Sequence, residues 1–189
     1  MAAANGLMAA HPAADALLAA MAEHRLAPDD IAAVTAHVHQ GAIDVLGSVT
    51  TPSTVHQAKF NMGTVLGLCA YRGYAGVNEL EHDYAQANIA VFRERVAMVL
   101  DEEADRAYPA RWIGKVSLST RDGRTLHARV DEPKGDPGNT LSREDLATKF
   151  VRLAAFSHAA SEDEAHALLE QAWRIADAAR VGALFEAVL

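Results

Sequence analysis

Residues 112–130 read WIGKVSLSTRDGRTLHARV, and this stretch predicts a β-hairpin. Val116 and Leu118 alternate with polar residues in its first half, and Leu126 continues the alternation in the second. This period of two is typical of a strand with one buried face. An Asp-Gly dipeptide lies between the halves, where Gly123 can adopt the positive φ that a tight hairpin turn requires. The hairpin predicts a sheet as one layer of the fold.

The other segments supply helices around this sheet. Strands are predicted at 31–46 and 96–100, where apolar residues alternate or run together. Helical spacing and capping residues predict helices at 11–24, 55–71, 78–95 (one or two short ones), 142–159, from 161 onward and 175–189. Gly63 and Gly67, four residues apart, predict a helix face that another backbone approaches closely. We therefore expect an α+β fold, with a small antiparallel sheet and covering helices.

Length and composition exclude several classes of protein. The 189 residues suit one domain or two small ones, and 17 basic against 25 acidic side chains give a net charge of −8. This acidic balance disfavours a broad nucleic-acid surface. The single cysteine, Cys69, excludes an internal disulfide framework and a four-thiolate metal site, and it suits a reducing compartment. Without a basic leader or a long apolar run, we expect a soluble cytoplasmic protein with no membrane partner.

Three residue patterns could form a metal, acid–base or phosphate site, but a structural role is predicted for each. His37 and His39 lie two apart on a predicted strand and could hold a metal with His56, but two ligands do not make a site and a solvated strand face is favoured. The acidic run 101–105 is predicted to be a solvated loop, because nothing apolar encloses it. The glycines at 134–138 could cradle a phosphate, but they are predicted to belong to a connector, because the stretch leads away from a strand into a proline and helix capping begins only at Ser142.

His11 is the candidate acid–base residue. Asp15 lies four residues after it, a spacing at which a carboxylate on a helix can reach a ring nitrogen and fix its tautomer. A histidine so oriented could act as a general acid or base. A surface or capping histidine near the chain terminus is the other interpretation, and spacing alone favours it.

Several segments, taken in order, resemble the C-terminal part of the MmgE/PrpD family, which includes 2-methylcitrate dehydratase, cis-aconitate decarboxylase and iminodisuccinate epimerase. The matching pieces are HPAADA at 11–16, LAPDDI at 26–31, PSTVHQAKFNMG at 52–63, Asp122-Gly123, KGDPGNTLS at 134–142 and Lys149-Phe150. The resemblance covers nearly the whole chain, and 134–150 is its most specific stretch. A family lysine expected shortly before His11 has no counterpart in residues 1–10.

This resemblance implies an architecture and a chemistry. It implies a protein built from a large helical domain and a smaller α+β lid, with the active site between the two. Residues 1–24 would then end a helical-domain segment, 25–133 would form the lid, and 134–189 would be a connector and helices that return to the helical domain. The family acts on small di- or tricarboxylates without a metal or nucleotide cofactor, so none is expected. His11 matches a family histidine near the cleft and would be an acid–base or substrate-orienting group. Lys59 lies in the lid motif, where it could contact a substrate carboxylate or be a surface lysine beside a buried Phe60.

The sequence leaves two functions open, beside a third interpretation in which the chain is an inactive fragment that folds. The chain is expected to be the lid-bearing part of a cofactor-independent lyase, such as a 2-methylcitrate dehydratase, or of an isomerase. It would be inactive alone and completed by a separate helical-domain chain or a homo-oligomeric partner. The alternative is a catalytically incomplete binding or dimerisation module, whose alanine-rich ends form a helical dimer interface.

Overall fold

A four-stranded mixed sheet organises the first part of the chain in the computed structural model, which describes residues 9–177. The strands are β1 (Ile31–Val38), β2 (Val96–Leu100), β3 (Gly114–Thr120) and β4 (Thr125–Val130), in the order β2-β1-β3-β4. β1–β3 and β3–β4 are antiparallel, and β1–β2 is parallel. The α+β class and the hairpin are confirmed, with Gly123 at a φ of 88° in the turn. The sheet is mixed rather than purely antiparallel, because a long helical crossover between β1 and β2 lets them run in the same direction.

Helices cover the apolar face of this sheet. They are α1 (His11–His24), α2 (Gln40–Leu46), α3 (Val55–Lys59), α4 (Met62–Arg72), α5 (Val77–His82), α6 (Ala87–Arg93) and α7 (Glu102–Ala107), with a 3-10 turn at Pro28–Asp30. The buried face of β1 and β3 contributes Val34, Ala36, Val116 and Leu118 to the same apolar core as Leu17 of α1 and Leu66 of α4. Burial of these side chains from water is the main force that holds the layers together.

Two predicted elements are divided differently in the structure. β1 ends at Val38 rather than continuing to residue 46, because Nδ1 of His39 accepts a hydrogen bond from the backbone N–H of Ala42 and caps α2. The predicted helix at 55–71 is two helices, because the side chain of Asn61 accepts from the Thr64 N–H and starts α4 anew. A side-chain acceptor at each point satisfies the free N–H groups of a new helix start.

Close packing of α4 against α6 confirms the role predicted for the two glycines. A Cβ atom on Gly63 would lie 2.8 Å from the backbone oxygen of Arg93, and one on Gly67 would lie 3.4 Å from that of Ile89. The α6 backbone therefore runs directly over this face of α4.

The chain divides into two compact units, Met1–Thr140 and Leu141–Leu189. The second contains α8 (Arg143–Ser157), α9 (Glu162–Trp173) and a 3-10 turn at Ile175–Asp177. Both predicted capping boxes are confirmed, at Ser142 with Asp145 and at Ser161 with Glu164. Most of the helix predicted at 175–189 lies outside the described residues. Within 9–177, every helix is too short or too polar to cross a bilayer.

Candidate functional site

The first turn of α1 places His11 against the start of β3. Pro12 follows His11 at the beginning of the helix, where its fixed φ suits helical geometry. Its backbone oxygen lies so near Gly114 that a Cβ there would be 2.0 Å away. Only a glycine permits this approach, so the sequence fixes the first turn of α1 on the sheet. The His11 side chain is 17% exposed, and its Nε2, the nitrogen that faces Asp15, is buried.

Asp15 joins His11 to a distant loop. Its Oδ1 lies 3.8 Å from Nε2 of His11. This distance is short enough for an ion pair with a protonated ring but too long for a hydrogen bond. Its Oδ2 accepts a 2.6 Å hydrogen bond from the backbone N–H of Lys134. The proximity expected from the i, i+4 spacing is therefore present, and the loop contact fixes the carboxylate that faces the imidazole.

The Lys134 loop is itself held in a defined shape. The backbone N–H of Gly135 donates to the Asn139 carbonyl at 2.7 Å, and the Asn139 side-chain amide donates to the carbonyl of Glu132 at 3.0 Å. Gly135 has a φ of 109°, which a side chain would strain. The stretch predicted as a connector therefore positions the partner of the candidate acid–base residue.

Lys59 is the last residue of α3, a helix capped by Thr54. Its side chain is half-buried, beside a ring contact between His56 and Phe60. Within residues 9–177 its ammonium forms no hydrogen bond or ion pair, so the described contacts do not join it to His11. An ammonium without a protein partner can bind an anion as a point charge.

The three histidines weighed as metal ligands have different surroundings. Nε2 of His37 lies 2.8 Å from Oγ of Ser117 on the open face of the sheet. His39 is buried and stacks on Tyr108 with ring centroids 4.0 Å apart, while His56 packs on Phe60. Burial lowers the pKa of His39, against the opposing charge of Asp105. In the described part of the chain, no three His, Cys, Asp or Glu side chains are grouped to hold a metal ion.

A polar network on the open sheet face was not predicted. Oγ of Ser117 lies between His37 and Nδ1 of His127, at 2.8 and 2.9 Å. The strand register brings these side chains together, because it pairs Ser117 with His127 across β3 and β4. Only the pairing of the strands reveals it, because the histidines are far apart in sequence.

The acidic run is a helix start rather than the predicted loop. Asp101 caps α7 through the Ala104 N–H, and Lys115 binds both Asp101 and Glu103. Hydrogen bonds from Arg129 and then Lys115 lower the pKa of Glu103 to about 2. The loop prediction was wrong because Asp101 caps a helix at this point, and the cations that pair with these carboxylates come from β3 and β4.

Comparison with known proteins gives one clear similarity. The family model of the MmgE/PrpD C-terminal domain matches residues 7–175, most of the 189-residue chain. The match includes His11, Asp15, Lys59 and the Lys134 loop. No curated protein matches the chain significantly.

Proposed function

Because the chain belongs to the MmgE/PrpD family through its C-terminal domain, we propose that it forms the lid-bearing part of a cytoplasmic enzyme that acts on small di- or tricarboxylates. Dehydration of 2-methylcitrate, a lyase reaction of propionate metabolism, is the reaction we propose to test first. Such a dehydration removes a proton next to a carboxylate and protonates the departing hydroxyl. Side chains alone can carry out both proton transfers.

The His11–Asp15 pair is the observation that carries this proposal. An imidazole can take up or release a proton near neutral pH, and Asp15, 3.8 Å away, favours its protonated form during the reaction. The hydrogen bond from Lys134 to the other carboxylate oxygen keeps Asp15 aimed at the ring. His11 is thus proposed as an acid–base residue, with Asp15 as its positioning residue.

Lys59 is proposed to bind a substrate carboxylate. Its ammonium lacks a partner among residues 9–177, and the net charge of −8 means that attraction of an anionic substrate must come from local cations. Developing negative charge on a carboxylate during proton removal would be stabilised by such a cation.

The second unit supports a contribution from a further helical domain. Leu146, Phe150 and Leu153 follow one another at helical spacing on α8 and are 37–39% exposed. An apolar stripe of this kind is typical of a helix that packs against others. We propose that helices of another chain, or of a second copy, cover this stripe and complete the active site.

The test is turnover of 2-methylcitrate by the full chain copurified with a helical-domain chain of the same family, followed by formation of the carbon–carbon double bond. His11→Gln should reduce kcat by about 10²–10⁴-fold, the usual contribution of one acid–base group. Lys59→Gln should act mainly on KM. His24→Gln, at the opposite end of α1, is the matched control and should leave turnover unchanged.

Other outcomes separate the proposal from the binding-module alternative. Binding of the carboxylate without turnover in the presence of the helical chain would favour a binding module. Equal turnover by the wild type and His11→Gln would refute the role of His11.

A further inference from the structure

A cavity lies between β2, the end of α2 and the start of α4. Its volume is about 380 Å³, within the range of small-ligand sites. Half-buried Val96 and Met98, with the nearly buried Leu46 and Met62 behind them, give one part of its wall an aliphatic surface, and the remainder is polar. His11, Asp15 and Lys59 do not line it. The cavity can accommodate the hydrocarbon body of a small molecule.

Arg93 brings a positive charge to the wall of this cavity. The residue is half-buried, and its guanidinium forms no hydrogen bond or ion pair with any residue from 9 to 177. Arg72, by contrast, is paired with Asp83 at 2.6 Å. A guanidinium has five donors arranged in a fork that matches a carboxylate.

The rest of the rim adds two hydroxyls and one negative charge. Thr50 and Thr51 line the cavity, and their hydroxyls make no hydrogen bond within the described part of the chain. Glu94 also lines it, with an exposed carboxylate next to Arg93 in sequence. One carboxylate can therefore be bound at Arg93, whereas a second negative charge in the same small cavity would be repelled by Glu94.

We propose that this cavity binds a short aliphatic monocarboxylate, with its carboxylate on Arg93 and its hydrocarbon chain against Met62, Val96 and Met98. This ligand class differs from the di- and tricarboxylates proposed as substrates, and the site shares no lining residue with the His11–Asp15 pair. The inference is therefore independent of the proposed function.

Arg93 can be changed without removing the contact that packs α6 on α4. The atoms of Arg93 nearest to Gly63 are its Cγ, Cα and backbone oxygen. Arg93→Gln and Arg93→Lys both keep these atoms, and only the charged end of the side chain changes. Arg72→Gln is the control, because it removes another cation of the same unit that lies outside the cavity lining.

The experiment titrates the full chain, labelled with ¹³C at methionine methyl groups, with butyrate and separately with succinate. Butyrate should shift the Met62 and Met98 signals and bind more tightly than succinate. Arg93→Gln should weaken butyrate binding by roughly 10-fold to 100-fold, as expected for loss of a charge-assisted hydrogen bond, and Arg93→Lys by less. Arg72→Gln should leave butyrate binding unchanged, and Lys59→Gln tests whether the carboxylate binds at Lys59 instead.

Three results would overturn this inference. The first is a failure of the predicted butyrate site: the Met62 and Met98 methyl signals do not shift, or Arg93→Gln binds butyrate as tightly as the wild type does. The second is tighter binding of succinate than of butyrate. The third is loss of binding in Lys59→Gln with retention in Arg93→Gln, which would place the carboxylate at Lys59 and support the proposed function instead.

Discussion

Replacement by alanine should destabilise the protein at Gly63 but not at Gly67, although both glycines lie on α4 and face α6. A Cβ on Gly63 would lie 2.7 Å from Cγ, 2.8 Å from the backbone oxygen and 3.0 Å from Cα of Arg93. Two of these atoms belong to the backbone and cannot rotate away. A favourable carbon contact needs about 3.5–4.0 Å, so α6 must move outward by several tenths of an ångström.

The expected cost follows from this overlap. Overpacking in a well-packed core destabilises by about 1–3 kcal/mol, so Gly63→Ala should lower the free energy of unfolding by that amount. At Gly67 the nearest atoms are Ile89 Cγ2 and its backbone oxygen, both 3.4 Å away, which is ordinary van der Waals contact. Gly67→Ala should therefore be neutral or stabilising by up to about 1 kcal/mol, through higher helix propensity.

Urea unfolding followed by Trp112 fluorescence tests this pair, in a Trp173→Phe background so that the signal comes from the first unit. With a slope of about 1–3 kcal/mol per molar urea, the two midpoints should differ by roughly 1 M. Equal midpoints, or a more stable Gly63→Ala variant, would refute the packing of α6 on α4 described above.

Three further changes test other contacts. Asp15→Ala removes the acceptor of the Lys134 N–H and should cost about 1–3 kcal/mol in urea unfolding, since a hydrogen bond to a charged group is lost; an unchanged midpoint would contradict this anchor. Ser142→Ala removes the N-cap of α8 and should cost about 1 kcal/mol, seen as a lower far-UV melting temperature. Burial lowers the pKa of His39 below its ordinary 6.5, so near this pH the unfolded chain binds more protons than the folded one. The free energy of unfolding should therefore fall as the pH drops from about 7 toward the lowered pKa of the folded protein. His39→Asn, which can still cap α2, should flatten this dependence of the urea midpoint on pH, and an unchanged slope would exclude His39 as its source.

Local signals in the sequence predicted the elements whose structure depends on neighbours in the chain. The hairpin follows from alternation and from Gly123, and the start of α8 follows from Ser142 and Asp145. The end of β1 was missed because histidine is not among the preferred capping residues, so His39 gave no helix-start signal. The parallel pairing of β2 with β1 was missed because strand neighbours are chosen by packing across a long crossover.

The contacts of the candidate site also fall into those that local spacing predicts and those that depend on residues distant in sequence. The approach of His11 and Asp15 follows from helical spacing and could be predicted. The Lys134 contact that fixes Asp15 spans 119 residues, and the Ser117 network joins three strands, so neither leaves a local pattern. The position of Arg93 beside a partly aliphatic cavity likewise depends on how α6 and β2 pack, which spacing alone does not encode.

Exchange of the substrate proton with solvent deuterium tests the central claim most directly. The full chain and a helical-domain chain of the family are incubated together with 2-methylcitrate in D₂O, and deuterium next to the carboxylate is measured by NMR. We predict that exchange requires both chains, is slowed at least about 10²-fold by His11→Gln and is retained by His24→Gln. Undiminished exchange in His11→Gln, or full exchange by this chain alone, would contradict the account.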